Sequence, residues 1–151
     1  MKIAPRRRFL SAFAAIAALP LLPARGRAAD DKLSALVNKV TQGAKVSAGR
    51  VKLTVPRLAD NGHSVPLKVS VESPMTATDH LRAITLLSER NPRPIMATFH
   101  FNARSGRAEI VTRVRLNGTQ RVVALAQLSD GSYWSGSAEV EVTESACLDA
   151  T

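Results

Sequence analysis

The chain has 151 residues, a formal charge of +9, one cysteine and 4% aromatic residues, which is the length of one ordinary domain and excludes a multidomain enzyme. With 45% hydrophobic and 22% charged residues it sits near the globular average, so wholesale disorder and a fibrous chain are excluded too. The surplus of positive charge points to a phosphate-bearing partner only if the charges lie on the folded domain.

They do not. Lys2, Arg6, Arg7, Arg8, Arg25 and Arg27 all precede Ala28, and no acidic residue does. A basic stretch ending at Arg8 leads into an apolar run from Phe9 to Leu22, and Gly26 and Ala28 supply small residues at the minus-three and minus-one positions of an export cleavage site. The run is shorter than the roughly 20 residues a membrane-spanning helix requires. Arg6-Arg7-Arg8-Phe9-Leu10 matches the twin-arginine pattern, two arginines, a free position, then Phe-Leu. Residues 1–28 are therefore expected to be a cleaved twin-arginine signal, and the product a periplasmic protein with no membrane anchor. Beyond Ala28 the chain has 15 basic and 12 acidic residues, a balance of only +3. Phe99, Phe101, Tyr133 and Trp134 are too few and too local to stack bases between cations, so no nucleic-acid partner is expected.

From Asp30 and Asp31 onward, Leu33, Leu36, Val37 and Val40 recur at spacings of three and four, which predicts a short amphipathic helix with acidic residues at its start and Gly43 past its end. From Gly49 the period drops to two. Val51, Leu53 and Val55, then Val65, Leu67, Val69 and Val71, alternate with polar residues, with Asp60-Asn61-Gly62 expected as the hairpin turn between the two runs. Further strands are expected over 81–87, 95–101, 108–116, 119–128 and 137–142. Asn117-Gly118 between two of them has the composition of a two-residue hairpin turn, and Asp130-Gly131 precedes the last. No glycine-rich phosphate loop is present, and no helical period long enough for a parallel crossover follows residue 43. The expected fold is an all-β, immunoglobulin-like antiparallel sandwich over 49–144, preceded by a helical segment over 29–48 and followed by an arm over 145–151.

Residues with catalytic chemistry are sparse. His63, His80 and His100 lie too far apart in sequence to form a metal loop, and no catalytic constellation or metal site is expected. Glu139 and Glu141 share a strand face, as a solvated side of the last strand would. Arg113 and Arg115 also share a face, suited either to docking a partner or anion or simply to solubility. Tyr133 and Trp134 suit an interface anchor or a core edge equally. Cys147, the single cysteine of an exported chain, stands beyond the last strand, where no internal disulfide is possible. A free thiol there suits an intermolecular disulfide or a covalent adduct. From Thr143 to Cys147 an extended chain spans about 14 Å.

These features together resemble a family, the sulfur-carrier subunit SoxY of the bacterial Sox thiosulfate-oxidising system. The resemblance is carried by the twin-arginine signal and by Ile84-Thr85-Leu86-Leu87 followed by Asn91-Pro92-Arg93-Pro94. It extends through Thr112-Arg113-Val114-Arg115-Leu116-Asn117-Gly118-Thr119, then Ala124-Leu125-Ala126 leading to Ser129-Asp130-Gly131, and the single cysteine past the last strand. It implies an immunoglobulin-like domain without catalytic activity or cofactor, paired with a SoxZ-like subunit as heterodimer or heterotetramer. Cys147 then takes the place of the cysteine to which the sulfur substrate is covalently bound, while a c-type cytochrome, a hydrolase and a sulfur dehydrogenase act on it in turn. SoxY proteins typically end in Gly-Gly-Cys-Gly-Gly. Here Ser145 and Ala146 precede the cysteine and Leu148 and Asp149 follow it. Leu148 adds bulk to an arm that glycine would keep thin, and Asp149 sets a negative charge beside the thiol, disfavouring thiolate. The alternative role is a docking or structural subunit of a redox complex, with the cysteine used for an intermolecular disulfide.

Overall fold

A computed structural model describes residues 25–146. In chain order the elements are helix α1 (Arg25–Thr41) and strands β1 (Val46–Ala48), β2 (Val51–Thr54), β3 (Leu58–Asn61), β4 (Val65–Val71), β5 (Leu81–Ser88), β6 (Ile95–His100), β7 (Glu109–Val114), β8 (Gln120–Leu128) and β9 (Tyr133–Glu144). One sheet has the order β1-β9-β8-β5-β6, with β3 joining β9 further along the same edge; the other has the order β2-β4-β7. The two sheets pack as the expected immunoglobulin-like sandwich.

The alternation in the sequence explains the layers. Along β4, Val65, Leu67, Val69 and Val71 are buried while Pro66 and Lys68 are exposed. From the facing sheet, Leu81, Ile84 and Leu86 of β5 and Val122, Ala124, Ala126 and Leu128 of β8 enter the same core. The central strands β5 and β8 are also buried on their other face. Leu87 and Val123 point away from the sandwich core and meet Leu33 of α1, with Leu36, Val37 and Val40 packed around them. Those are the four residues whose spacing predicted the helix, so its apolar stripe is what docks it. The helix starts earlier than that spacing suggested, and its first turn holds no acidic residue. At its end Gln42 and Gly43 turn left-handed, and the Gly43 N–H reaches back to the Asn38 carbonyl at 3.0 Å.

Two local expectations are corrected. Strands β2 and β4 do pair antiparallel, with Val51 opposite Val71. Asp60-Asn61-Gly62, however, is not the turn between them: Asp60 and Asn61 belong to β3, which crosses to the other sheet and pairs parallel with β9, Asn61 opposite Glu144. Asn117-Gly118 likewise joins no hairpin. The strand before it, β7, pairs with β4, whereas the strand after it, β8, pairs with β5 and β9. Gly118 has the positive φ expected of it, +80°, but the turn carries the chain from one sheet to the other. Asp130-Gly131 closes the β8–β9 hairpin, with the Ser132 N–H donating to Asp130 Oδ1 at 2.8 Å and the Leu128 N–H to the Ser132 carbonyl at 3.0 Å.

Candidate functional site

The ends of β3, β5, β7 and β9 and the starts of β4 and β8 converge on one pole of the sandwich. There the chain leaves β9 towards Cys147, which, like Arg6 and Arg7 of the expected signal, lies outside the described residues. The approach to Cys147 is part of the sandwich. Ala146 is 2% exposed, and its N–H donates to the Leu116 carbonyl at 3.3 Å. The Leu116 N–H donates to the Gly62 carbonyl at 2.8 Å, and the Gly62 N–H to the Glu144 carbonyl at 2.7 Å. A Cβ at Gly62 would stand 2.0 Å from the Leu116 oxygen and 2.9 Å from the Ala146 nitrogen, so three backbones meet here at a distance only glycine permits. Of the arm expected over 145–151, Ala146 is thus fixed to the sandwich, and residues 147–151 lie outside the described residues.

A polar network holds the neighbouring loops. Gln120, 4% exposed, accepts through Oε1 from Ser88 Oγ and, at 3.1 Å, from the Arg90 N–H. Its Nε2 donates to Asn91 Oδ1 at 3.1 Å and to the Gly118 carbonyl at 3.3 Å. Asn91 Oδ1 also accepts the Asn117 N–H at 2.9 Å, and its Nδ2 donates to the Arg115 carbonyl at 2.8 Å. The loop after β5 and the turn before β8 are locked together by side chains that satisfy one another, as partly buried amides require. Among the described residues no buried side-chain nitrogen or oxygen lacks a partner.

Beside this network, a hollow of about 1040 Å³ lies between α1 and the loop after β5. Its walls include Lys32, Lys39, Glu89, Arg90 and Thr119. Arg90 is exposed, and its Nη1 donates to the Thr119 carbonyl at 3.0 Å. Over Gly118, the point a side chain would occupy is 3.1 Å from Ser145 Oγ and 3.7 Å from Arg90 Nη1, so the segment leading to Cys147 and this guanidinium are neighbours.

The docking candidates divide between the two poles. Arg113 and Arg115 are exposed near the end of β7. The Arg113 guanidinium reaches Ser64 Oγ at 3.3 Å, while the Arg115 carbonyl receives Asn91, one residue before the Leu116 carbonyl that holds Ala146. Tyr133 and Trp134 begin β9, roughly 33 Å along the strand from its tail end at about 3.3 Å per residue. Trp134 is half-buried against the core, donates from Nε1 to Ser132 Oγ at 3.1 Å and carries the Arg50 guanidinium 5.0 Å from its ring centroid.

His63 is exposed at the tail pole, whereas the His80 Nδ1 lies 3.1 Å from the Thr76 carbonyl and His100 pairs with Ala83 at the other. Among the described residues no three His, Cys, Asp or Glu side chains form a metal-binding group, and no helix is long and apolar enough to cross a membrane. Glu139 faces solvent, 3.8 Å from Arg121. Among the described residues two carboxyls are shifted, both downward: Glu109 by the hydrogen-bonded Lys68 ammonium and then the Ser70 hydroxyl, Asp130 by Ser132.

Residues 37–147 match the family model of the sulfur oxidation protein SoxY. The chain belongs to the SoxY family. The matched segment takes in the strands, the anchored Ala146 and Cys147 itself. Among solved structures, the sulfur carrier protein SoxY from Chlorobium limicola f thiosulfatophilum superposes with a TM-score of 0.63 at 22% identity, over 76% of this chain and 94% of that one. The superoxide reductase (neelaredoxin) from Ignicoccus hospitalis gives 0.56 at 18% identity, over 62% and 80%. The superoxide reductase from Nanoarchaeum equitans gives 0.54 at 12%, over 64% and 100%. At these identities the likeness is one of fold. A search of curated proteins finds no match.

Gly62, Arg90, Asn91 and Gln120 were not singled out by sequence reasoning. Asn91 lies inside the Asn-Pro-Arg-Pro segment that contributes to the family resemblance and Gly62 inside the expected turn, but nothing local marks Gln120 or Arg90, whose partners are about 30 residues away.

Proposed function

We propose that this SoxY-family protein is a periplasmic sulfur carrier, exported through its twin-arginine signal, that holds sulfur intermediates covalently on Cys147 during thiosulfate oxidation and catalyses no step itself. The observation that carries the reading is that the family match runs through Cys147, the single cysteine of the chain, with the residue before it fixed to the sandwich. A thiol presented in this way offers one nucleophile to successive enzymes while the domain stays rigid.

Loading joins the Cys147 thiolate to the outer sulfur of thiosulfate. One S–S bond forms, and two electrons leave to a c-type cytochrome component, giving Cys–S–S–SO3−. A hydrolase then releases sulfate, and a sulfur dehydrogenase oxidises the sulfur left behind. A SoxZ-like subunit is the expected structural partner, with Arg113 and Arg115 at the tail pole better placed than Tyr133 and Trp134 to meet proteins that act on the thiol. The test is Cys147→Ser in a reconstituted system with the remaining components. Thiosulfate-dependent cytochrome reduction should fall to background, and unchanged turnover would refute the carrier role.

A further inference from the structure

An adduct ending in a sulfonate is an anion, and Asp149 stands two residues from its sulfur. A carrier needs something to offset that repulsion, and cations stand beside the segment that leads to Cys147. We propose that the wall of the hollow at Arg90, with Lys32 and Lys39 beyond it, is the anion-receiving surface for the sulfonate end of the Cys147 adduct. The inference rests on the carrier reading above.

The surroundings are set by Ser145 and Ala146. Ala146 is held to Leu116, and Ser145 Oγ and Arg90 Nη1 both lie within 4 Å of the point a Gly118 side chain would occupy. A thiosulfonate, with its S–S bonds of about 2 Å each, extends some 6 Å from the Cα that bears it. Arg90 is the cation beside Ser145, two residues before Cys147 in the chain. Its backbone N–H is fixed by Gln120 and one guanidinium nitrogen by Thr119, so the head is oriented while the guanidinium fork keeps further N–H donors, the geometry that suits a sulfonate as it does a phosphate. The hollow is lined by three cations, Lys32, Lys39 and Arg90, against one carboxylate, Glu89, and Glu89 Oε2 already accepts the Arg121 N–H at 2.9 Å. The hollow is far larger than a sulfonate, so the wall nearest the tail, not its volume, sets the preference.

The probe is tetrathionate, a dianion. The Cys147 thiolate attacks its central S–S bond, forming Cys–S–S–SO3− and expelling thiosulfate with the bond's electron pair. Iodoacetamide, which is neutral, reports thiolate content and access alone. The ratio of the two rate constants on the full purified chain therefore isolates attraction for an anion. With this cation removed, Arg90→Gln should lower that ratio about two- to threefold near 0.15 M salt and by more near 0.01 M, where screening is weaker, while Arg90→Lys largely retains it. The Lys32→Gln, Lys39→Gln double variant, altering exposed side chains only, should lower it further at low salt.

A ratio unchanged in Arg90→Gln at both salt concentrations, with Cys147 still modified, overturns the anion surface and leaves the carrier reading standing. If Cys147 reacts with neither reagent in the unaltered protein, both fall.

Discussion

Gly62→Ala is the sharpest test of the packing that sets the tail in place. The new methyl would lie 2.0 Å from the Leu116 carbonyl oxygen and 2.9 Å from the Ala146 nitrogen, both backbone atoms that no rotamer change can move aside. Leu116 must retreat by about 1 Å, at a cost of about 1–3 kcal/mol for overpacking. The retreat also weakens the Leu116–Gly62 and Ala146–Leu116 hydrogen bonds, at about 1 kcal/mol each. The expected loss is about 3 kcal/mol, or roughly 10 °C in Tm for a domain of this size. Gly106→Ala is the control: Gly106 has φ +75° and open space around it, so alanine there meets backbone strain alone, about 1 kcal/mol. Urea titration of both variants, with hydrogen exchange at the Ala146 amide, measures the difference. If Gly62→Ala is no less stable than Gly106→Ala and the Ala146 amide keeps its protection, the three-backbone junction does not hold the tail.

Other expectations follow from the same contacts. Asn91→Ala removes three hydrogen bonds at once and should cost about 2–3 kcal/mol in urea unfolding; a loss below about 0.5 kcal/mol would mean that the loop is held by other means. Leu87→Ala empties the fully buried seat of α1 and should cost about 3 kcal/mol, with increased hydrogen exchange along the helix; unchanged helix protection would contradict its docking. Glu109 is held below its ordinary pKa first by Lys68, at 3.0 Å, and then by Ser70. A carboxyl lowered in the folded state adds stability that is present above its unfolded pKa and is lost as pH falls through the folded one. Glu109→Gln should therefore lower the urea midpoint near pH 7 and leave it unchanged near pH 2. The difference should shrink in high salt, because the pair is exposed to solvent.

Much of the sandwich was legible in the sequence because one-sided burial writes itself as alternation. Val65, Leu67, Val69 and Val71 are an example, and the i, i+3, i+4 spacing of Leu33, Leu36, Val37 and Val40 did the same for α1. What escaped was non-local. Strand β3 contributes one buried side chain, Ala59, and leaves Leu58 54% exposed, so Leu58-Ala59-Asp60-Asn61 has no alternation to read. Its place is fixed instead by backbone pairing with β9, some 83 residues on. At Asn117-Gly118 the local chemistry was right, since Gly118 does adopt positive φ, but turn chemistry does not tell a hairpin from a crossing between sheets. Cys147 drew notice by its count and position, whereas Arg90 and Gln120 became part of the site only through partners contributed by other strands.

Intact mass spectrometry of the natively exported protein from cells oxidising thiosulfate, with and without reductant, tests most directly whether Cys147 carries sulfur. Mass increments of bound sulfur or sulfonate that map to Cys147 and vanish on reduction are expected. A bare Cys147 thiol throughout, while the same cells consume thiosulfate, would contradict the carrier role.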